Sequence, residues 1–226
     1  MNDNDVNAAA LDDSDLLAAT TALRQMFVIK NAARDDAIAR SRELVRHCSE
    51  AIRAVHRREW DAAQVKLETA RAAANTLRAG VVDYPDLYYA GYIQDALKEV
   101  VEAFVTYAIV RDHPLPGLAE LDMEIATYLN GLAEAATELR RFILDILRRQ
   151  DGDSAEAERL LAWMDDIYDE LVTFDFPDAI TGGLRRQTDV VRSVLERTRG
   201  DLTMALRQQR LEAALARFEA RRFGDG

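Results

Sequence analysis

Two pairs of glutamates interrupt the two most apolar helical stretches of the chain. Glu99 and Glu102 lie in ALKEVVEAF, and Glu134 and Glu138 lie in YLNGLAEAATELRRF. Residues three or four apart share one face of a helix, so each pair points in one direction. A carboxylate that leaves water is costly unless a partner or a metal ion compensates its charge. If the four carboxylates converge, they form an all-oxygen site for a divalent cation, suited to metal-assisted hydrolysis.

The same spacing has a plainer interpretation. Glu is a good helix former, and most Glu pairs at helical spacing lie on solvated surfaces. In that case the carboxylates pair with Lys98, Arg140 or Arg141, and the chain is a helical scaffold. Oxygens from both segments within about 5 Å of one another would favour a shared cation, whereas divergence toward bulk solvent would favour the scaffold.

A row of arginines on the first long helical segment is the second candidate site. At about 100° per residue they lie within about 60° of one another, opposite an apolar face. Guanidinium groups suit phosphate because they bind it through two donors and are weakly hydrated. The alternative is an ordinary solvated face with surface ion pairs. The residues are Arg42, Arg46, Arg53 and Arg57.

Composition excludes several other classes of site. The 226 residues are 49% hydrophobic with only 4 Pro and 10 Gly, which is typical of an all-helical protein. The single Cys48 cannot form an internal disulfide, which predicts a reducing compartment, and one Cys with three His excludes a Cys/His zinc site. No Glu-x-x-His motif is present, so a di-iron bundle is excluded as well. No leader pattern or apolar run of about 20 residues is visible, which predicts a cytoplasmic protein without a membrane partner.

The net charge of −11 argues against a protein coated in positive charge for nucleic acid. Only three of the 29 basic residues are lysines, and this acidic, Lys-poor pattern is typical of a halophilic, salt-loving cytoplasm. High salt screens long-range repulsion, so local arginine clusters would matter more than net charge.

The pattern of apolar residues and breaks predicts an all-α fold, an up-and-down bundle of six to seven long helices. Residues 1–12 are predicted to be an acidic, disordered tail, and 13–226 a single domain. Gly, Pro and polar clusters separate the segments, and no strand pattern occurs. The predicted helices are Asp13–Arg58, Glu59–Leu77, Leu87–Val110, Leu118–Arg149, Ala155–Leu171 and Leu184–Arg221.

Several separated stretches resemble the translin family, most closely the branch of translin-associated factor X. SRELVRHCSEAIRAVHR resembles that family's first-helix pattern, and ALKEVVEAF its Glu-x-x-Glu segment. YLNGLAEAATELRRF is similar to its Tyr-Leu-x-Gly…acidic-x-x-x-Glu-Leu-x-Arg segment, and LRRQTDVVRSVLE to the start of its last helix. The stretches occur in the family's order and together cover most of the chain from Ser41 onward.

The resemblance implies a helical subunit of a closed, octamer-like homo-oligomer, with a paralogous subunit as a variant of that assembly. In the factor X branch it implies a Mg²⁺-dependent endoribonuclease, with Mn²⁺ as the other accepted ion, that cleaves single-stranded RNA within the shell. Carried over by position, the catalytic and metal-binding residues are Glu99, Glu102, Glu134 and Glu138. Position 134 carries Glu where the family often has Asp. The charge is the same, and the side chain is longer by one methylene group.

Arg42 to Arg57 is the corresponding candidate nucleic-acid surface. The alternative function is a non-catalytic translin-like protein that binds RNA or single-stranded DNA, which would need the arginines but not the carboxylates.

Overall fold

The computed structural model describes residues 13–149 and 154–223, and within these ranges it contains nine helices and no strand. The all-α prediction is therefore confirmed, while the tail predicted at 1–12 lies outside the described residues. Six helices are long and three are single turns. They are α1 (Asp13–His56), α2 (Trp60–Gly80), α3 (Pro85–Tyr88), α4 (Gly91–Arg111), α5 (Leu118–Leu121), α6 (Ile125–Leu147), α7 (Ser154–Leu171), α8 (Asp178–Thr181) and α9 (Leu184–Phe223).

Two of the predicted helices are divided in the structure, and backbone conformation explains both breaks. The predicted third helix is divided because Ala90 is extended, so α3 ends before α4 begins. The predicted fourth helix is divided at Asp122, whose φ of 53° is left-handed and ends α5. The segment that separates the last two predicted helices contains the single-turn α8. Asp favours such left-handed positions because its side chain can bond the local backbone.

The two central helices, α4 and α6, form the middle of the bundle. Helix α1 packs against α2 and α4, α4 packs against α6, and α6 packs against both α7 and α9. Side chains such as Leu97, Ile109 and Leu139 are fully buried between them. Each such side chain stabilises the fold by about 1.5–3 kcal/mol relative to an exposed one. Among the described helices, none has both the length and the apolar character that crossing a bilayer requires.

The first half of α1 and the second half of α9 carry exposed apolar side chains. Leu17, Phe27, Leu211 and Phe218 are all at least half exposed. Isolated apolar residues on a surface are normal, but several along one helix are a feature of interaction surfaces.

Helices α4 and α6 approach most closely at Gly131. A Cβ atom placed on Gly131 would lie 2.5 Å from Val101 Cβ and 2.8 Å from the carbonyl oxygen of Lys98. Both distances are too short for real atoms, so only glycine allows this crossing. Gly131 precedes Glu134 by one turn, and Lys98 and Val101 flank Glu99 and Glu102. The contact therefore sets the distance between the two glutamate pairs.

Gly131→Ala should lower the free energy of unfolding by about 1–3 kcal/mol, because the added methyl group has no space between the helices. Urea unfolding followed by circular dichroism measures the change. Gly200→Ala is the matched control, since Gly200 is also helical and has no atom near the new methyl group. That variant should gain about 0.5–1 kcal/mol from helix propensity. Equal stability changes in the two variants would contradict the proposed close contact.

Candidate metal and nucleic-acid site

Three of the four predicted carboxylates meet where α4 and α6 cross. Glu99, Glu102 and Glu134 each offer one oxygen, and these oxygens all lie within 4.8 Å of one another. All three side chains are partly buried. Carboxylate oxygens at this separation can share one hard divalent cation with only small side-chain adjustments.

Glu134 has a different environment on each of its two oxygens. Lys98 Nζ lies 2.7 Å from Oε1, and Gln187 Nε2 donates a hydrogen bond to the same atom at 3.1 Å. Oε2 is buried and has no hydrogen-bond partner. An unpaired buried acceptor is costly, and a cation beside Glu99 and Glu102 would satisfy it. The donor set thus fits Mg²⁺ or Mn²⁺, both of which accept carboxylate ligands.

Glu138 lies beside this group of three but has its own partner. Its Oε1 lies 2.5 Å from Nε2 of His56, and the His56 ring stacks on Phe142 with centroids 3.8 Å apart. The His56 side chain is only 5% exposed, and Arg141 lies 3.6 Å from the same carboxylate oxygen. The structure therefore holds Glu138 toward α1, at the edge of the three-carboxylate cluster.

Burial, together with the close approach of these acids, raises the pKa values of two of them. Burial raises the pKa of Glu102 to about 8, with further increases from the charges of Glu99, Glu134 and Glu138. Burial, followed by the charge of Glu134, also raises the pKa of Glu99. Without a metal ion, Glu102 is therefore largely protonated at neutral pH. Such shifts are characteristic of functional sites, where like charges are held together.

The ion pairs expected of a plain scaffold form in part. Lys98 contacts Glu134, and Arg141 contacts Glu138. Arg140 turns away instead, and binds Asp201 at 2.8 Å and Thr198 at 3.0 Å. Burial opposes the charge of Lys98, but its hydrogen bond to Glu134 outweighs that effect and raises the pKa of Lys98. Lys98 therefore remains a cation beside the cluster.

The arginine row does not join this cluster. Arg42, Arg46, Arg53 and Arg57 lie on the exposed side of α1. Arg46 pairs with Glu43 at 3.4 Å, and Arg57 forms two hydrogen bonds with Glu59. The opposite side of α1 carries Cys48, which is fully buried. Burial raises the pKa of the Cys48 thiol, and Glu99 and Glu102 raise it further, so the thiol packs without forming a reactive thiolate.

Sequence reasoning did not assign His56 and Gln187 to the site. His56 bonds to a residue 82 positions away, and Gln187 bonds to one 53 positions away. No local spacing connects such pairs. The sequence contains one weak indication that His56 faces the interior. It lies one helical turn after Ile52, a buried apolar residue on the core side of α1.

Comparison with known proteins gives both sequence and structural relatives, although no protein-family model matches the chain. The chain is 31% identical over 192 residues to an uncharacterized protein of Methanocaldococcus jannaschii, a match that covers 84% of each chain. The structure resembles AfC3PO in its duplex RNA complex with a TM-score of 0.76 and 32% identity, covering 83% of this chain and 96% of that one. The AfC3PO crystal structure gives 0.75 with the same identity and coverage. The apo-NeC3PO structure shares the fold at 0.73 and 20% identity, covering 87% of this chain and 99% of that one.

Glu102 should make folding stability depend on pH in metal-free buffer. Its pKa rises from 4.5 to about 8 on folding, so the folded state holds a proton that the unfolded chain releases between these values. The contribution of Glu102 to the free energy of unfolding is complete below its unfolded pKa of 4.5 and is lost as the pH rises through its folded pKa of about 8. In EDTA, the unfolding free energy of the wild type should therefore fall relative to Glu102→Gln between about pH 5 and pH 8.

Urea unfolding at a series of pH values measures this difference. Glu158→Gln, which changes an exposed glutamate of α7, is the charge-matched control and should follow the wild-type curve. Parallel curves for the wild type and Glu102→Gln would show that Glu102 does not carry the proton.

Proposed function

The chain belongs to the translin family, and from this premise we propose that it is a metal-dependent endoribonuclease of the catalytic, factor X-like branch. The observation that carries the proposal is the convergence of Glu99, Glu102 and Glu134 within 4.8 Å. A scaffold has no need to hold three partly buried acids together against their mutual repulsion. A hydrolase that binds a divalent cation does.

The residues of the site have distinct parts in this proposal. Glu99, Glu102 and Glu134 would hold the ion, and Oε2 of Glu134, which has no hydrogen-bond partner, is free to join the other two carboxylates. When bound there, the ion would lower the pKa of a water molecule and stabilise charge on the phosphate. Glu102 would hold the ion as a carboxylate, so ion binding would release the proton that its raised pKa retains at neutral pH.

Glu138 completes the acidic quartet. Its charge contributes to the raised pKa of Glu102, which places it within electrostatic reach of the cluster. His56 fixes the orientation of the Glu138 carboxylate, and stacking on Phe142 fixes His56 in turn. The contact with His56 engages Oε1 of Glu138, so its second carboxylate oxygen is the one that would face an ion held by the other three acids.

RNA is the proposed substrate because the relative AfC3PO forms a complex with duplex RNA. The closed shell that the family resemblance implies favours flexible or single-stranded RNA, since a long duplex would enter it with difficulty. The exposed apolar side chains on α1 and α9 support assembly into a homo-oligomer, because they would be covered by neighbouring subunits. Backbone contacts dominate such binding, so cleavage should depend little on base sequence.

A second candidate function is RNA binding without cleavage. The contacts of Lys98 with Glu134 and of Arg141 with Glu138 favour it, since they already compensate part of the acidic charge. Cleavage activity distinguishes the two functions.

The first experiment is cleavage of short, labelled RNA in molar salt with Mg²⁺. The wild type should cut single-stranded RNA, and EDTA should abolish the reaction. Glu102→Gln should lower the rate at least about 100-fold because it removes a metal ligand that also titrates. Duplex RNA and single-stranded DNA are tested in parallel. Glu158→Gln, on the exposed surface, should retain wild-type activity.

RNA binding by Glu102→Gln is measured by fluorescence anisotropy and should be preserved. Wild-type protein that binds RNA but does not cut it would support the binding function and return the carboxylates to a structural role. Cleavage that persists in Glu102→Gln would separate the activity from this cluster.

The arginine row should contribute to RNA affinity through phosphate contacts. Arg42 and Arg53 have no ion-pair partner within the described residues and are exposed, so they are free to bind phosphate. The double variant Arg42→Gln/Arg53→Gln should reduce the slope of log affinity against log salt by about 0.7 for each lost contact with single-stranded RNA. Arg207→Gln/Arg217→Gln on α9 changes net charge equally and is the control. An equal effect of both double variants would indicate bulk charge and would contradict a specific surface.

A further inference from the structure

A cavity of about 800 Å³ opens beside the carboxylate cluster. Its walls come from the first turns of α4, α6 and α9 and from α8. The volume lies within the range of about 300–1,000 Å³ that small-ligand sites occupy. No residue of the arginine row on α1 lines it, so the cavity is separate from that predicted surface.

Two residues belong to both the cavity wall and the carboxylate site. Lys98 and Gln187 line the cavity, and both bond to Oε1 of Glu134. A group in the cavity is therefore one side chain away from the atoms that would hold the metal ion. A chain bound at the carboxylates would place a neighbouring unit in this space.

The wall offers positive charge. Lys98 is one cation, and Arg186 is a second that has no ion-pair partner within the described residues. Its neighbour Arg185 faces elsewhere and pairs with Asp175 at 2.8 Å. The first turns of α4 and α6 add partial positive charge, because neither helix has a side-chain cap on its terminal N–H groups.

Two acids also line the cavity. Asp95 is 75% exposed and lies 3.8 Å from Lys98, so solvent and Lys98 both reduce its repulsion of an anion. Glu124 accepts a hydrogen bond from the Tyr88 hydroxyl at 3.2 Å. Lys98 and Arg186 are therefore the residues of the wall that would bind an anionic group.

Apolar side chains occupy the remaining rim and are left in solvent. Tyr89, Ile125 and Ile180 are each more than 60% exposed although they line a cavity. A flat aromatic ligand would cover them, since nucleic-acid bases stack on aromatic and apolar side chains without requiring a particular sequence. A wall that offers both cations and apolar groups matches the two parts of a nucleotide.

We infer that this cavity is a nucleotide subsite, which holds the nucleotide next to the phosphodiester at the carboxylates. Its phosphate faces Lys98 and Arg186, and its base packs against Tyr89, Ile125 and Ile180. The inference rests on the proposed function, because it takes RNA as the ligand of the neighbouring carboxylates. It adds a binding position that holds the substrate at the point of cleavage.

The test is binding of adenosine 5′-monophosphate to the full-length protein in EDTA, measured by saturation-transfer NMR titration. Arg186→Gln should weaken binding about tenfold, since it removes a charge-assisted contact with phosphate. Arg185→Gln is the matched control at the adjacent position and should change affinity less than about twofold. Tyr89→Ala should weaken adenosine monophosphate but leave ribose 5-phosphate unchanged, because only the former has a base.

All three substituted residues are exposed, and thermal unfolding verifies that each variant is folded. No binding of the monophosphate up to about 10 mM, an affinity weaker than any useful subsite, would overturn the inference. Equal losses in Arg186→Gln and Arg185→Gln would overturn it too.

The same protein separates this inference from the proposed function. If the wild type binds the monophosphate with these variant effects but cuts no RNA, the subsite is supported and the proposed nuclease activity is contradicted. If the wild type cuts RNA but does not bind the monophosphate, the nuclease activity is supported and the subsite is contradicted.

Discussion

The close contact of α4 with α6 at Gly131 is the constraint on which the site depends. It holds two helices so near that their inward-facing acids cannot avoid one another. The resulting repulsion and burial raise the pKa of Glu102 to about 8. A bundle that needed only an apolar core could carry alanine or leucine at the positions of Glu99, Glu102 and Glu134. The structure instead holds carboxylates there at the expense of folding stability, which is typical of a functional site.

Three interactions reduce the unfavourable free energy of placing these carboxylates together in the metal-free protein. Lys98 neutralises Glu134, a proton neutralises Glu102, and His56 fixes Glu138 at the margin. None of them satisfies Oε2 of Glu134. A divalent cation would replace the proton and reach that oxygen, and its charge would weaken the attraction of Glu134 for Lys98. In the proposed function, metal binding and RNA binding would be linked through this one lysine, which also lines the cavity beside the cluster.

Helical periodicity was sufficient to predict the bundle and to show that each glutamate pair shares a face. It could not show that the pairs meet, because their distance is set by a tertiary contact between Gly131 and Val101. The breaks at Ala90 and Asp122 were missed since neither position carries Gly or Pro. His56 and Gln187 were missed for a related reason. Their partners are distant in sequence, so only the packed bundle brings them to the carboxylates.

The net charge of −11 restricts how an anionic chain could approach this surface. At physiological salt, charges more than about 8 Å apart on the surface are largely screened, so the acidic remainder of the protein has little effect on a phosphate within reach of Lys98 and Arg186. At higher salt the screening length is shorter, and exposed arginines such as those on α1 contribute less as well. Partly buried contacts are screened least. For a protein of this composition, the proposed position of RNA in a cavity beside the carboxylates would be favourable, because short-range contacts and base stacking persist when long-range attraction does not.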